Sequence, residues 1–293
     1  MDDTPPDTVL ARVPAGAHEL TVRAVLQDDP TSPVILLLPA MGVPARYYRR
    51  FVGNLHAHGL SVVTFDLRGQ GESAPLPARG VRFAYQDLID DVDAVIDVIA
   101  SALPGAPRFL LGHSLGGQLG MLHTASRPGR VRGVVLVASG SAWYAAFPGI
   151  YRLRTLFGPQ LVAGLARVLG YWPGHRLGFG GRQPVGLVRD WARQSRTGRY
   201  VLAGSSTNYE AALRSVDVPL LTVTVSGDRL APQSSVDHLA GKAIRARRVH
   251  KHYSRTLAGA DQLGHFSWVR NGAELSRWIR EWVTEVHDLS LQS

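Results

Sequence analysis

The 293-residue chain contains no cysteine. That single absence excludes disulfides, thiolate nucleophiles and cysteine-ligated metal sites together. Long apolar runs are missing too, and none approaches the ~20 residues a helix needs to cross a bilayer. The first residues, Met1-Asp2-Asp3-Thr4-Pro5-Pro6-Asp7, are acidic and proline-rich with no apolar stretch behind a basic start. They predict a loose tail of about eight residues rather than a signal peptide, and the expectation is a soluble, cytoplasmic protein. Basic residues outnumber acidic ones by 32 to 23, giving a net charge of +9. They are scattered, however, and the one dense run, Arg245-Ala246-Arg247-Arg248, has no zinc-finger or RNA-binding signature beside it. The charge reads as a solvated surface, and no nucleic-acid partner is expected. There is no internal repeat and no low-complexity segment.

What is present is an ordinary globular composition, 45% hydrophobic and 19% charged. Extended segments are predicted around residues 9–13 and 19–26. Val34-Ile35-Leu36-Leu37-Leu38 is a continuous apolar run, as expected of a strand buried on both faces of a parallel sheet. A helix over 46–58 stops at Gly59, and residues 61–65 form the next buried strand. Residues 83–101 carry an apolar stripe at helical spacing, 109–111 a short strand, 118–125 a helix and 134–137 another strand. Such alternation predicts an α/β fold with a mostly parallel sheet and right-handed crossovers. It breaks between residues 140 and 213, a stretch rich in Gly, Arg and aromatics in which no buried strand is predicted. Residues 219–225 resume the strand pattern, residues 248–257 supply a last strand, and 270–286 close the chain as an amphipathic helix. The organisation expected is a sheet core, residues 1–139 and 214–293, with a cap inserted at 140–213.

Gly112-His113-Ser114-Leu115-Gly116 has the form G-x-S-x-G, between an apolar strand and a helix. A serine on such a turn sits with strained backbone and needs small neighbours. The following helix N-terminus points N–H groups at developing negative charge. A serine hydroxyl needs a base, and the base an orienting acid. Asp228, in Ser226-Gly227-Asp228 at the end of a late strand, is the candidate acid, and His265, in Gly264-His265-Phe266, the candidate base. Asp261, four residues before His265, is the rival acid. Among the other histidines, His113 reads as a packed neighbour of the serine, and His250 and His252 as surface residues on a strand. Two backbone donors would serve an oxyanion: the N–H of Leu115, and the N–H of Met41 with Ala40 as alternative.

Other glycine-rich stretches carry no cofactor signal. Asp66-Leu67-Arg68-Gly69-Gln70-Gly71-Glu72-Ser73 lacks the G-K-[ST] ending of a phosphate loop and reads as a structural turn under the active-site rim. Gly178-Phe179-Gly180-Gly181 follows no buried strand, as a dinucleotide site would require. No metal-ligand spacing is present, so neither cofactor nor metal is expected.

With Pro39-Ala40-Met41-Gly42 after a strand, then the Asp66–Ser73 stretch, Gly112–Gly117, Ser226-Gly227-Asp228 and Gly264-His265-Phe266 in this order, the chain resembles the α/β-hydrolase superfamily. The resemblance covers residues 19–288, and is to a bacterial branch near the lysophospholipase and monoacylglycerol-lipase-like serine hydrolases. It implies an eight-stranded sheet, a helical cap after strand six, and a triad on Ser114, Asp228 and His265. Many relatives carry His-Gly where this chain has Pro39-Ala40. The expected activity is hydrolysis of an acyl ester or thioester through an acyl-enzyme on Ser114. The expected substrate is a small acyl compound with an apolar portion. Two alternatives stay open: an acyltransferase using the same residues, and a ligand-binding protein on the same scaffold.

Overall fold

A computed structural model describes residues 6–15 and 18–291. The first five residues of the expected tail lie outside the described residues, and Thr8 already belongs to a strand. Strands β1 (Thr8–Ala15) and β2 (His18–Val25) precede β3 (Val34–Leu38), α1 (Arg49–Ala57), β4 (Ser61–Phe65), α2 (Tyr85–Ala102), β5 (Arg108–His113), α3 (Leu115–Ser126) and β6 (Gly133–Val137). A long excursion follows through α4 (Tyr151–Leu169), β7 (Tyr171–Pro173), α5 (Gly174–Leu177), β8 (Arg182–Pro184), α6 (Val185–Thr197) and α7 (Tyr209–Arg214). The chain returns with β9 (Leu220–Val225), α8 (Gln233–Ala240), β10 (Arg248–Tyr253), α9 (Arg255–Ala258) and α10 (Ala273–Leu291).

Eight strands form one sheet in the order β1-β2-β4-β3-β5-β6-β9-β10. The pairs β1–β2 and β2–β4 are antiparallel, and the rest of the sheet is parallel. The expected architecture is therefore the observed one, with a helical cap after the sixth strand. Strands β3, β4, β6 and β9 are buried along their whole length, because helices cover both faces. Leu88, Val92, Leu119 and Leu122 of α2 and α3 pack on one face, and Phe51, Leu55, Ile279 and Val283 of α1 and α10 on the other. Each such fully buried side chain contributes about 1.5–3 kcal/mol relative to exposure.

Two local readings of the sequence are corrected by the structure. Helix α3 starts at Leu115, directly after the serine, rather than at residue 118. Gly116 and Gly117 are poor helix formers, which hides the first turn from a propensity reading. Residues 140–213 are not free of strands: β7 and β8 pair antiparallel outside the main sheet, at three residues each too short for a periodic signal. Among the described residues, no helix is long and apolar enough to cross a membrane.

Candidate active site

The C-terminal ends of β3, β5, β6 and β9 gather the loops that carry chemistry in an open parallel sheet. At the end of β5, Ser114 has φ 54° and ψ −116°, a region costly for any residue but glycine. The Ser139 hydroxyl donates to the Ser114 carbonyl at 2.6 Å, and the Ser114 N–H donates to the Val137 carbonyl at 3.4 Å. The turn also requires backbone-to-backbone packing. A Cβ on Gly112 would lie 2.2 Å from Gly117 Cα, and one on Gly116 would lie 2.0 Å from the Leu38 carbonyl oxygen. These glycines let the first turn of α3 close against β3 and β5, which turns the serine outward.

Ser114, His265 and Asp228 are brought into one hydrogen-bonded line. His265 Nε2 stands 3.0 Å from Ser114 Oγ, and His265 Nδ1 stands 2.8 Å from Asp228 Oδ2. The second Asp228 oxygen accepts the N–H groups of Leu230 at 2.8 Å and Ala231 at 3.0 Å. A carboxylate held this way fixes the imidazole tautomer: Nδ1–H donates to Asp228, and Nε2 is left to accept the serine proton. Asp228 and His265 side chains are 1% and 7% exposed, so their contact is shielded from competing water. Asp261 is exposed and, among the described residues, makes no hydrogen bond or ion pair with His265.

The loop after β3 carries a feature the sequence did not reveal. The Ala40 N–H is taken up by the Tyr48 hydroxyl at 3.0 Å. With the Ala40 N–H engaged, Met41 stays the candidate donor of this loop, and it lines the same cavity as Leu115 and Ser114. Tyr48 in turn donates to His113 Nδ1 at 2.7 Å. Burial, with the His265 ring alongside, holds His113 well below the usual histidine value, so it is neutral and able to accept. Burial likewise pushes the Tyr48 hydroxyl well above the usual tyrosine range. His113 is the packed neighbour expected, and through Tyr48 it is tied to the loop after β3. Tyr48 lies 65 residues away in the chain, and no local pattern announced it.

The remaining glycine-rich stretches have structural uses. Asp66 accepts the N–H of Ala45 at 2.6 Å and of Glu72 at 2.8 Å, holding its turn closed. The Gly178–Gly181 stretch packs on the oxyanion loop: Gly42 has φ 75°, and a Cβ there would lie 2.4 Å from the Gly180 backbone. His250 and His252 are exposed on β10 and hydrogen-bond to Thr222, Thr224 and Ser226.

Above Ser114 lies a cavity of about 390 Å³ whose floor includes Met41, Leu115 and His265. Phe147, Tyr151, Trp172, Phe179 and Trp191 line it from the excursion after β6. Half of the aromatics that stand out in that region thus face the cavity. Tyr200 and Tyr209 pack into the main core instead, and Trp143 stacks on His238 at 4.4 Å.

The strand order, the strained serine between β5 and α3, and the histidine loop before the last helix define an enzyme scaffold of the α/β-hydrolase class. The profile of the family described as "Serine aminopeptidase, S33" matches residues 29–181, just over half of the chain. The chain belongs to that family of α/β hydrolases. It is 34% identical over 110 residues to a protein named putative carbamate hydrolase RutD from Variovorax paradoxus, covering 37% of this chain but only 38% of that protein. It is 25% identical to a monoacylglycerol lipase from Mycolicibacterium smegmatis, over 73% of this chain and 78% of the lipase. Among solved structures, Rv0554 from Mycobacterium tuberculosis superposes with a TM-score of 0.61 at 18% identity, covering 91% of this chain and 94% of the other. At that identity the likeness speaks to the fold alone.

Proposed function

We propose that the protein is a serine hydrolase that cleaves an acyl ester or thioester through an acyl-enzyme on Ser114. The reading rests on one observation: a strained, hydrogen-bonded Ser114–His265–Asp228 line at the floor of a mainly apolar cavity. His265 Nε2 takes the Ser114 proton as Oγ attacks the acyl carbon. The N–H groups of Met41 and Leu115 stabilise the oxyanion, and Asp228 stabilises the imidazolium. His265 then protonates the departing alcohol or thiol. A water molecule repeats the sequence in reverse and releases the acid. Residues 140–213 act as the cap over a core of residues 1–139 and 214–293, and the cap's aromatics hold an apolar acyl portion.

A fluorophosphonate probe tests the reading. Wild type is expected to be labelled and Ser114→Ala to be blank. An unlabelled wild type, or labelling that survives Ser114→Ala, rejects it.

A further inference from the structure

The mouth of the same cavity carries two cations that the hydrolytic reading leaves unused. Arg229, directly after Asp228, donates from Nη1 to the Tyr151 hydroxyl at 3.0 Å, with its guanidinium 5.9 Å from the ring centroid. Arg154 lies three residues after Tyr151 on α4 and so projects from the same helix face. Both arginines and Tyr151 line the cavity together with Ser114. Among the described residues, no carboxylate pairs with Arg154 or Arg229, whereas Arg68, Arg127, Arg130 and Arg277 each reach one.

The surroundings offer no neutralising charge. Residues 140–213 contain nine arginines against Asp190 and Glu210, so seven of the chain's nine net positive charges fall there. Those two acids are already engaged, Asp190 with the Ala203 N–H and Glu210 with Lys242. Asp228 spends both oxygens on His265 and on two backbone N–H groups. Around the two guanidiniums the rim is apolar and open to solvent: Leu161 is 65% exposed, Leu177 58% and Leu230 41%. An apolar rim interrupted by two unpaired guanidinium forks suits a molecule that is part hydrocarbon and part oxyanion.

We propose that Arg154 and Arg229 recognise an oxyanion, and that the substrate is an anionic amphiphile: an acyl ester bearing a carboxylate or a phosphate. The identity of the bond cut rests on the hydrolytic reading above, but the anion site does not. A carboxylate or phosphate here gains charge-assisted hydrogen bonds that a neutral ester lacks, a difference of about ten- to a hundredfold in affinity.

Matched substrate pairs test this. Monomethyl sebacate against methyl decanoate places a carboxylate on the acyl half. The phosphate of 1-decanoylglycerol 3-phosphate, against 1-decanoylglycerol, sits on the alcohol half. Wild type is expected to favour the anionic member of at least one pair about ten- to a hundredfold in kcat/KM, mainly through KM. The pair that shows the preference identifies which half carries the charge. Arg154→Gln and Arg229→Gln should each bring that ratio down towards one. Neutral members turned over as well as their anionic partners, or a ratio that neither variant moves, overturns the proposal. Calorimetry on Ser114→Ala separates this from the hydrolytic reading. If no ester is cut yet that variant binds the anionic member of either pair more tightly than its neutral partner, hydrolysis fails and the anion site stands; if it binds neither more tightly, the anion site fails too. If esters are cut with no anion preference, the anion site fails and hydrolysis stands.

Discussion

Ser114 keeps its positive φ because Gly112, Gly116 and Gly117 leave no Cβ where the turn closes on itself, and in the proposed mechanism the Asp228–His265 pair gives the hydroxyl its base. Replacing Asp228 by Asn should leave the shape intact while reversing the tautomer of His265, lowering kcat about 10⁴-fold. Asp261→Asn should change kcat less than about twofold, since Asp261 is exposed and makes no hydrogen bond or ion pair with the imidazole. Turnover of both variants on one ester decides the acid, and similar losses in the two would count against Asp228. The chain order of serine, acid and histidine left both carboxylates open, because a loop four residues long can fold either way. Only the three-dimensional path of the loop after β9 separates them. Tyr48→Phe tests the buried relay. It strands the Ala40 N–H and His113 Nδ1 in an apolar setting, at about 1–3 kcal/mol for each group. Urea unfolding should show that loss. The kcat should fall with KM little changed, because the loop that presents Met41 loses its anchor; an unaltered kcat would remove Tyr48 from the argument.

At the scale of elements, two helix glycines with opposite surroundings separate packing from propensity. Alanine in place of a mid-helix glycine gains roughly 1 kcal/mol from backbone entropy. At Gly164 of α4 an added Cβ meets nothing within 4 Å, so Gly164→Ala should raise Tm by about 2 °C. At Gly116 the Cβ would meet the Leu38 carbonyl at 2.0 Å, and overpacking at about 1–3 kcal/mol or more outweighs the propensity gain. Gly116→Ala should therefore lower Tm and weaken fluorophosphonate labelling, as α3 is pushed off β3. Paired melting curves check both signs, and a stabilised Gly116→Ala would show that α3 can slide without harm. The same contrast explains what was legible beforehand. Strands β3, β4, β6 and β9 announce themselves because burial on both faces demands unbroken apolar runs. The start of α3 does not, because its fitness comes from close approach to β3, which no propensity records. The β7–β8 pair is silent for a related reason: its partners meet through the fold of the excursion rather than through a repeated pattern.

The whole molecule stores several neutral histidines, and this sets the direction of its pH dependence. Burial lowers His113 and His123, and lowers His238 to about 4, against an ordinary value of 6.5. Below pH 6.5 each of these binds a proton in the unfolded chain but not in the folded one, until its folded value is reached. Stability then rises with pH, at up to about 1.4 kcal/mol per pH unit for each group. Two buried carboxyls act in the opposite sense. Asp91 and Asp190 are raised by burial, so between 3.8 and their folded values the native state holds the extra proton. The histidines begin to act at 6.5, well above the ordinary carboxyl value of 3.8, so the slope is expected to be positive just below neutrality. Thermal unfolding should show Tm falling steadily from pH 7.5 to pH 5. His238→Phe keeps an aromatic ring against Trp143 and removes one of the three titrating groups. Its absolute stability will change, because Ser141 loses its 2.7 Å hydrogen bond to His238 Nδ1. The informative quantity is the slope: the drop in Tm across this range should shrink relative to wild type. A wild-type Tm independent of pH would mean that the interior histidines are not held neutral by the fold, and His113 would then lose the neutral, proton-accepting state that holds Tyr48 against the loop after β3.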